Sequence, residues 1–169
     1  MTQRILRGAA LALALAGLSP ALVHAHVTIE TKQAAPGTYY KAVLRVPHGC
    51  AGSATTRLRV RIPDGVIAVK PQPKPGWTLD ITTGKYDTSY TLHGNTITEG
   101  VRELSWSGKL PDAYYDEFVF SSYLTPGLKP GDTLYFPVVQ ECEQGVERWI
   151  GKDAGGESPA PAVKLLPKP

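Results

Sequence analysis

Between residues 56 and 62 the chain alternates without a break, with Leu58, Val60 and Ile62 apolar and Arg57, Arg59 and Arg61 charged. A period of two marks a strand with one face in a core and the other in water. Stretches of similar character lie at 27–30, 39–46, 66–69, 77–82, 89–93, 100–106, 117–123, 133–140 and 146–150. Turn-forming groups separate them, among them Ala35-Pro36-Gly37, Pro63-Asp64-Gly65, His93-Gly94-Asn95 and Pro130-Gly131-Asp132. No helical period and no internal repeat interrupts this pattern. Many short strands at regular spacing predict an all-β sandwich.

The two ends depart from the pattern. At the start, Arg4 and Arg7 precede an apolar stretch, 8–18, that is too short to span a bilayer. Small residues follow at Val23 and Ala25, the −3 and −1 positions of a cleavage site. Residues 1–25 are therefore expected to be a secretory signal peptide, with His26 as the first residue of a periplasmic protein. Cleavage after Ala21 instead would leave His26 inside the chain. The expected domain is 26–152. Residues 153–169 form a Pro/Ala-rich tail, in which 163–166 can add an edge strand. No other stretch approaches the ~20 apolar residues of a membrane span.

Export changes how the charge and the cysteines read. Arg4 and Arg7 leave with the leader, so the formal charge falls from +3 to +1. Nothing then favours nucleic acid or an anionic membrane surface. Cys50 and Cys142, the only cysteines, are expected to form a disulfide between an early loop and a late strand. The loop of about 90 residues that it closes corresponds to about 4.5 kcal/mol in the chain-entropy account. A thiolate metal pair is the alternative, without CxxC spacing to support it.

The candidate chemistry centres on His26. Once freed, its α-amine and ring Nδ1 can chelate one ion. The amine titrates at about 7.7–8.0, so a metal displaces its proton at little cost. Paired nitrogens favour Cu(II), which heads the divalent affinity order. The only methionine is Met1, so no thioether site for Cu(I) survives in the mature chain. His48, in Val46-Pro47-His48-Gly49-Cys50, is a second candidate ligand on a loop that the disulfide would pin. Glu141 stands beside Cys142. Trp149 follows, and its indole donates only, so it would wall a site rather than coordinate, or simply fill core as Trp77 and Trp106 do. His93 reads as a turn residue. There is no GxSxG, HExxH or phosphate loop, so no conventional enzyme is expected.

The start HVTIE, the loop VPHGC with Thr55-Thr56 and LRVRIPDGV, the segment PKPGW, and FPVVQECEQGVERWI occur in that order over residues 26–151. In these the chain resembles the YcnI-like family of bacterial copper-binding domains. The resemblance implies an exported immunoglobulin-like β-sandwich that holds Cu(II) at its N-terminal histidine, with a carboxylate in the shell and a tryptophan nearby. It implies His26 as the brace and Trp149 as the indole. Some relatives carry a glutamate in the loop after Val-Pro, where this chain has His48-Gly49. His48 is expected to take that role, with Glu141, Glu117 and Glu30 as the carboxylate alternatives. The expected function is periplasmic copper homeostasis or trafficking, with a copper chaperone or membrane copper transporter as partner. A copper-dependent polysaccharide oxidase and a metal-free structural sandwich are the competing readings.

Overall fold

The computed structural model describes residues 26–153 and 155–167. The leader assigned to 1–25 lies outside them. The strands in chain order are β1 (Thr28–Ile29), β2 (Gln33–Ala34), β3 (Thr38–Val46), β4 (Thr55–Arg61), β5 (Val66–Pro71) and β6 (Thr78–Leu92). Then come β7 (Asn95–Leu110), β8 (Asp116–Leu124), β9 (Thr133–Tyr135), β10 (Val138–Cys142), β11 (Val146–Trp149) and β12 (Ala162–Leu165). The described residues contain no helix.

Two sheets form the sandwich, one in the order β1-β3-β8-β5 and the other β11-β10-β4-β7-β6. A small third sheet, β2-β12-β9, adjoins them. The alternation in β4 works as expected. Leu58 and Val60 are fully buried against Trp106, Leu104 and Phe118. The arginines face outward, where Arg59 meets Glu141 at 3.0 Å and Glu103 at 3.8 Å. Cys50 and Cys142 are bonded, with Cα atoms 5.8 Å apart and 92 positions between them in sequence. The bridge ties the loop after β3 to the end of β10.

Four elements differ from the sequence pattern, each for a local reason. The stretches 77–82 and 89–93 are one strand, β6, which forms a long hairpin with β7. Its two-residue turn is His93-Gly94, both with positive φ (50° and 79°), as a primed hairpin turn requires. The stretch 133–140 is two strands, because Pro137 has no N–H to continue a ladder. β9 therefore joins the small sheet and β10 the large one. The pair Gln33–Ala34, without an apolar period of its own, is a strand because β12 lies beside it. Finally, 163–165 falls in β12, the middle of its sheet and not an edge. Val163 and Leu165 belong to the main core cluster, so the packed domain continues past residue 152.

Candidate metal centre

The segment entering β1 is held by its apolar positions. Val27 and Ile29 are buried while Thr28 and Glu30 face out, and Thr28 pairs with Arg45 of β3. Continued two residues back, this register sets His26 level with Pro47, one residue before His48. The His26 ring, half-buried, meets Trp149 at the end of β11, with ring centroids 5.0 Å apart and planes at 60°. The two residues flank the edge strands of opposite sheets, so their contact closes one rim of the sandwich.

Trp149 is fixed from behind by a residue that the sequence reading passed over. Its indole N–H donates to Gln140 Oε1 at 3.2 Å. Gln140 Nε2 in turn donates to the His48 carbonyl at 2.7 Å and to Thr55 Oγ1 at 2.8 Å. Gln140 is 1% exposed, and this geometry satisfies both ends of its amide, as burial requires. The signal was available, since in Val138–Gln140 every second residue faces the core and an amide there needs partners.

The same amide anchors the His48 loop, which has two further ties. Gly49 N donates to Asp112 Oδ1 at 2.9 Å. Ser53 Oγ donates to the Cys50 carbonyl at 2.8 Å. A side chain at Gly49 would collide with the Ser53 carbonyl, 1.7 Å from where its Cβ would stand. His48 Nδ1 lies 2.5 Å from the Gly49 carbonyl. A carbonyl only accepts, so Nδ1 carries a proton, and in the neutral ring the lone pair is on Nε2. That is the form in which a histidine can bind a metal.

The candidate carboxylates are engaged elsewhere. Arg45 holds Glu30 at 2.7 Å and approaches Glu117 at 3.6 Å on the outer face of the first sheet. The hydrogen bond to Glu30 is the main cause that raises the Arg45 pKa. Tyr115 O–H also donates to Glu117. Glu141 faces away from Gln140, toward Arg59 at 3.0 Å and Arg57 at 3.8 Å. The structure thus brings His26 against Trp149, and Gln140 links Trp149 to the His48 backbone. It leaves Glu30, Glu117 and Glu141 in ion pairs with arginines. Among the described residues no three His, Cys, Asp or Glu side chains form a metal-holding group. A centre that takes two donors from one residue does not depend on such a group.

His26 also lines a cleft of about 280 Å³ on the side of the small sheet. Thr133, Tyr135 and Ala162 form one wall of it. They alternate with Leu134 and Val163, which point into the core.

Comparison with known proteins places this chain in a family. Residues 26–165 match DUF1775, described as a domain of unknown function. No curated protein matches the chain. A crystal structure of an uncharacterized protein from Nocardia farcinica, described as revealing an immunoglobulin-like fold, is similar at 24% identity and a TM-score of 0.59. The likeness covers 83% of this chain and 98% of that one. It establishes that the sandwich is immunoglobulin-like. Among the described residues no helix is long and apolar enough to cross a membrane.

Proposed function

We propose that this chain, which belongs to the DUF1775 family over residues 26–165, is an exported Cu(II)-binding protein of periplasmic copper handling, one of the YcnI-like members of that family. The observation that carries the reading is the packing of the His26 ring 5.0 Å from Trp149, at the residue where the family match begins. In the uncut chain the His26 nitrogen is an amide and a poor donor. Removal of the leader turns it into an amine, so export and metal competence arrive together. His26 then supplies amine and ring nitrogens, and His48 Nε2 is a further nitrogen donor on a preorganised loop. Trp149 walls the ion and orients the His26 ring. Copper is cargo here, given or taken by a periplasmic chaperone or a membrane transporter, and the protein performs no reaction on it.

The test is the exported protein with its first residue determined. Cu(II) titration followed by Trp149 fluorescence should show stoichiometric quenching. Acetylation of the His26 amine keeps every side chain but removes the free amine as a donor. The acetylated protein should bind at least about a hundredfold more weakly, as expected for losing one arm of a chelate, about 2.7 kcal/mol. Equal affinity in the two forms removes the brace. The free His48 Nε2 also favours a second reading, a copper oxidase with two histidines. Incubation with chitin or cellulose and a reductant decides it, and no oxidised product is expected.

A further inference from the structure

Building on the copper reading, we infer that the cleft beside His26 is a binding site for a small carboxylate with a short aliphatic body, which supplies the oxygen donor that the ion-paired Glu30, Glu117 and Glu141 do not. The first support is subtraction. Glu30, Glu117 and Glu141, the three carboxylates expected for the shell, are all engaged by Arg45, Arg57 or Arg59. Bringing any of them to the ion breaks an existing ion pair.

The second support is the cleft itself. About 280 Å³ is at the small end of ligand sites and suits a molecule of a few heavy atoms. Its lining is mostly apolar, with Val27, Ile29 and Ala160 beside Tyr135, and His26 is part of it. The third support is charge. Lys32 also lines the cleft. Its carbonyl accepts from Lys164 N at 2.8 Å, which fixes the residue on the flank of β12. Among the described residues no acid lies within ion-pair distance of its ammonium. An apolar cavity with an unpaired cation and a nitrogen-rich metal residue in its lining recognises an anion with an apolar body. Such a carboxylate could be a free metabolite or the acidic side chain of a partner. The shared chemistry is the carboxylate and its short aliphatic stem.

The experiment uses the exported protein and isovalerate, which chelates copper negligibly by itself. 3-Methylbutanol (same body, no charge) and acetate (same charge, no body) are the controls. Amide spectra of the metal-free protein report the cleft directly. Isovalerate at millimolar concentration should move Thr28, Lys32 and Ala162, with weaker responses to both controls. In the copper-loaded protein it should change the Cu(II) electron paramagnetic resonance spectrum and tighten Cu(II) binding about fivefold, the low end of measured couplings between sites. Lys32→Gln and Ala162→Leu, which removes the cation or fills the cleft, should both abolish these responses. A short acidic peptide with aspartate at its centre tests the partner source. A response to the peptide and not to isovalerate overturns the small-molecule assignment. Silent amides with isovalerate, or an equal response to 3-methylbutanol, overturn the carboxylate site even if copper binds. Amides that respond while copper fails to bind leave the cleft standing and remove the copper reading.

Discussion

Replacing Gln140 by leucine keeps almost the same volume in the core, so the cost comes from hydrogen bonding and not from a cavity. Three groups lose their partner: the Trp149 indole N–H at 3.2 Å, the His48 carbonyl at 2.7 Å and Thr55 Oγ1 at 2.8 Å. Trp149 is 2% exposed and Thr55 fully buried, so water does not replace the amide. Thr55 retains only a distant contact with Cys142 Sγ at 3.9 Å. At about 1 kcal/mol for each orphaned group, the low end for buried polar atoms, Gln140→Leu should cost about 3 kcal/mol. That corresponds to a fall in Tm of about 10 °C for a domain of this size. Urea unfolding with an unchanged slope is the assay. Gln140→Glu keeps an acceptor for the indole but sets a carboxyl with no counter-charge at a 1% exposed position against the His48 carbonyl, so it should lose at least as much. Combining Gln140→Leu with Trp149→Phe isolates the indole bond, for which the coupling should be about 1 kcal/mol. A loss under about 1 kcal/mol for Gln140→Leu, or a coupling near zero, refutes the claim that this amide organises the rim.

Three further outcomes follow from other parts of the molecule. Cys50→Ser with Cys142→Ser should lower unfolding stability by about 4.5 kcal/mol, less any strain relieved, and the difference should vanish when the parent protein is reduced. Tyr40 has its phenol buried against the Thr31 carbonyl at 2.6 Å, and burial, then Glu30, push its pKa well above 10.0. The unfolded chain ionises first. This contribution is therefore whole below pH 10 and is lost as pH rises above it, at up to about 1.4 kcal/mol per pH unit. Alkaline denaturation of Tyr40→Phe should lack that slope, and an identical slope would sink the assignment. His48→Ala should weaken Cu(II) binding on the order of tenfold while leaving the Tm nearly unchanged, because Gln140 holds the backbone carbonyl and not the ring. Unchanged affinity removes His48 from the shell.

The sandwich was legible because its signal is local. β4 announces itself through Leu58, Val60 and Ile62, and the hairpin through His93-Gly94. What was not legible depended on partners remote in sequence. Gln33 and Ala34 carry no strand pattern, and β12 makes them a strand from some 130 positions away. The stretch 133–140 looks continuous until Pro137 is weighed as a missing donor. The site divides in the same way. His26 stood out because processing at a leader is written in adjacent residues. That its ring meets Trp149, 123 positions later, is carried by no local pattern, and only the family resemblance pointed to that indole. Glu141 attracted attention through its charge and its neighbour Cys142. Yet the alternation of β10 had already assigned it to the outer face, since Val138 and Gln140 face inward. Parity within a strand carried more information about the rim than residue charge did.

On the proposed reading, a metal residue at a chain terminus must meet two opposed demands. Its nitrogen has to be free, and a free terminus frays; its ring has to be fixed, and fixing needs packing. The fold separates the two by anchoring the residues just after His26. Val27 and Ile29 enter the core, and Glu30 N bonds the Val43 carbonyl at 3.0 Å. The final strand then clamps the segment from the other side: Lys164 N donates to the Lys32 carbonyl at 2.8 Å, and Leu166 N to the Ala34 carbonyl at 2.9 Å. The two ends of the domain thus lie side by side, with β12 parallel to β2. The His26 ring meets Trp149 on one side and lines the cleft on the other. Ordering is supplied by the chain that follows the residue, through Val27, Ile29 and Glu30. The Pro/Ala-rich tail, which by composition resembles a mobile appendage, is on this argument part of the apparatus that positions the N-terminal histidine.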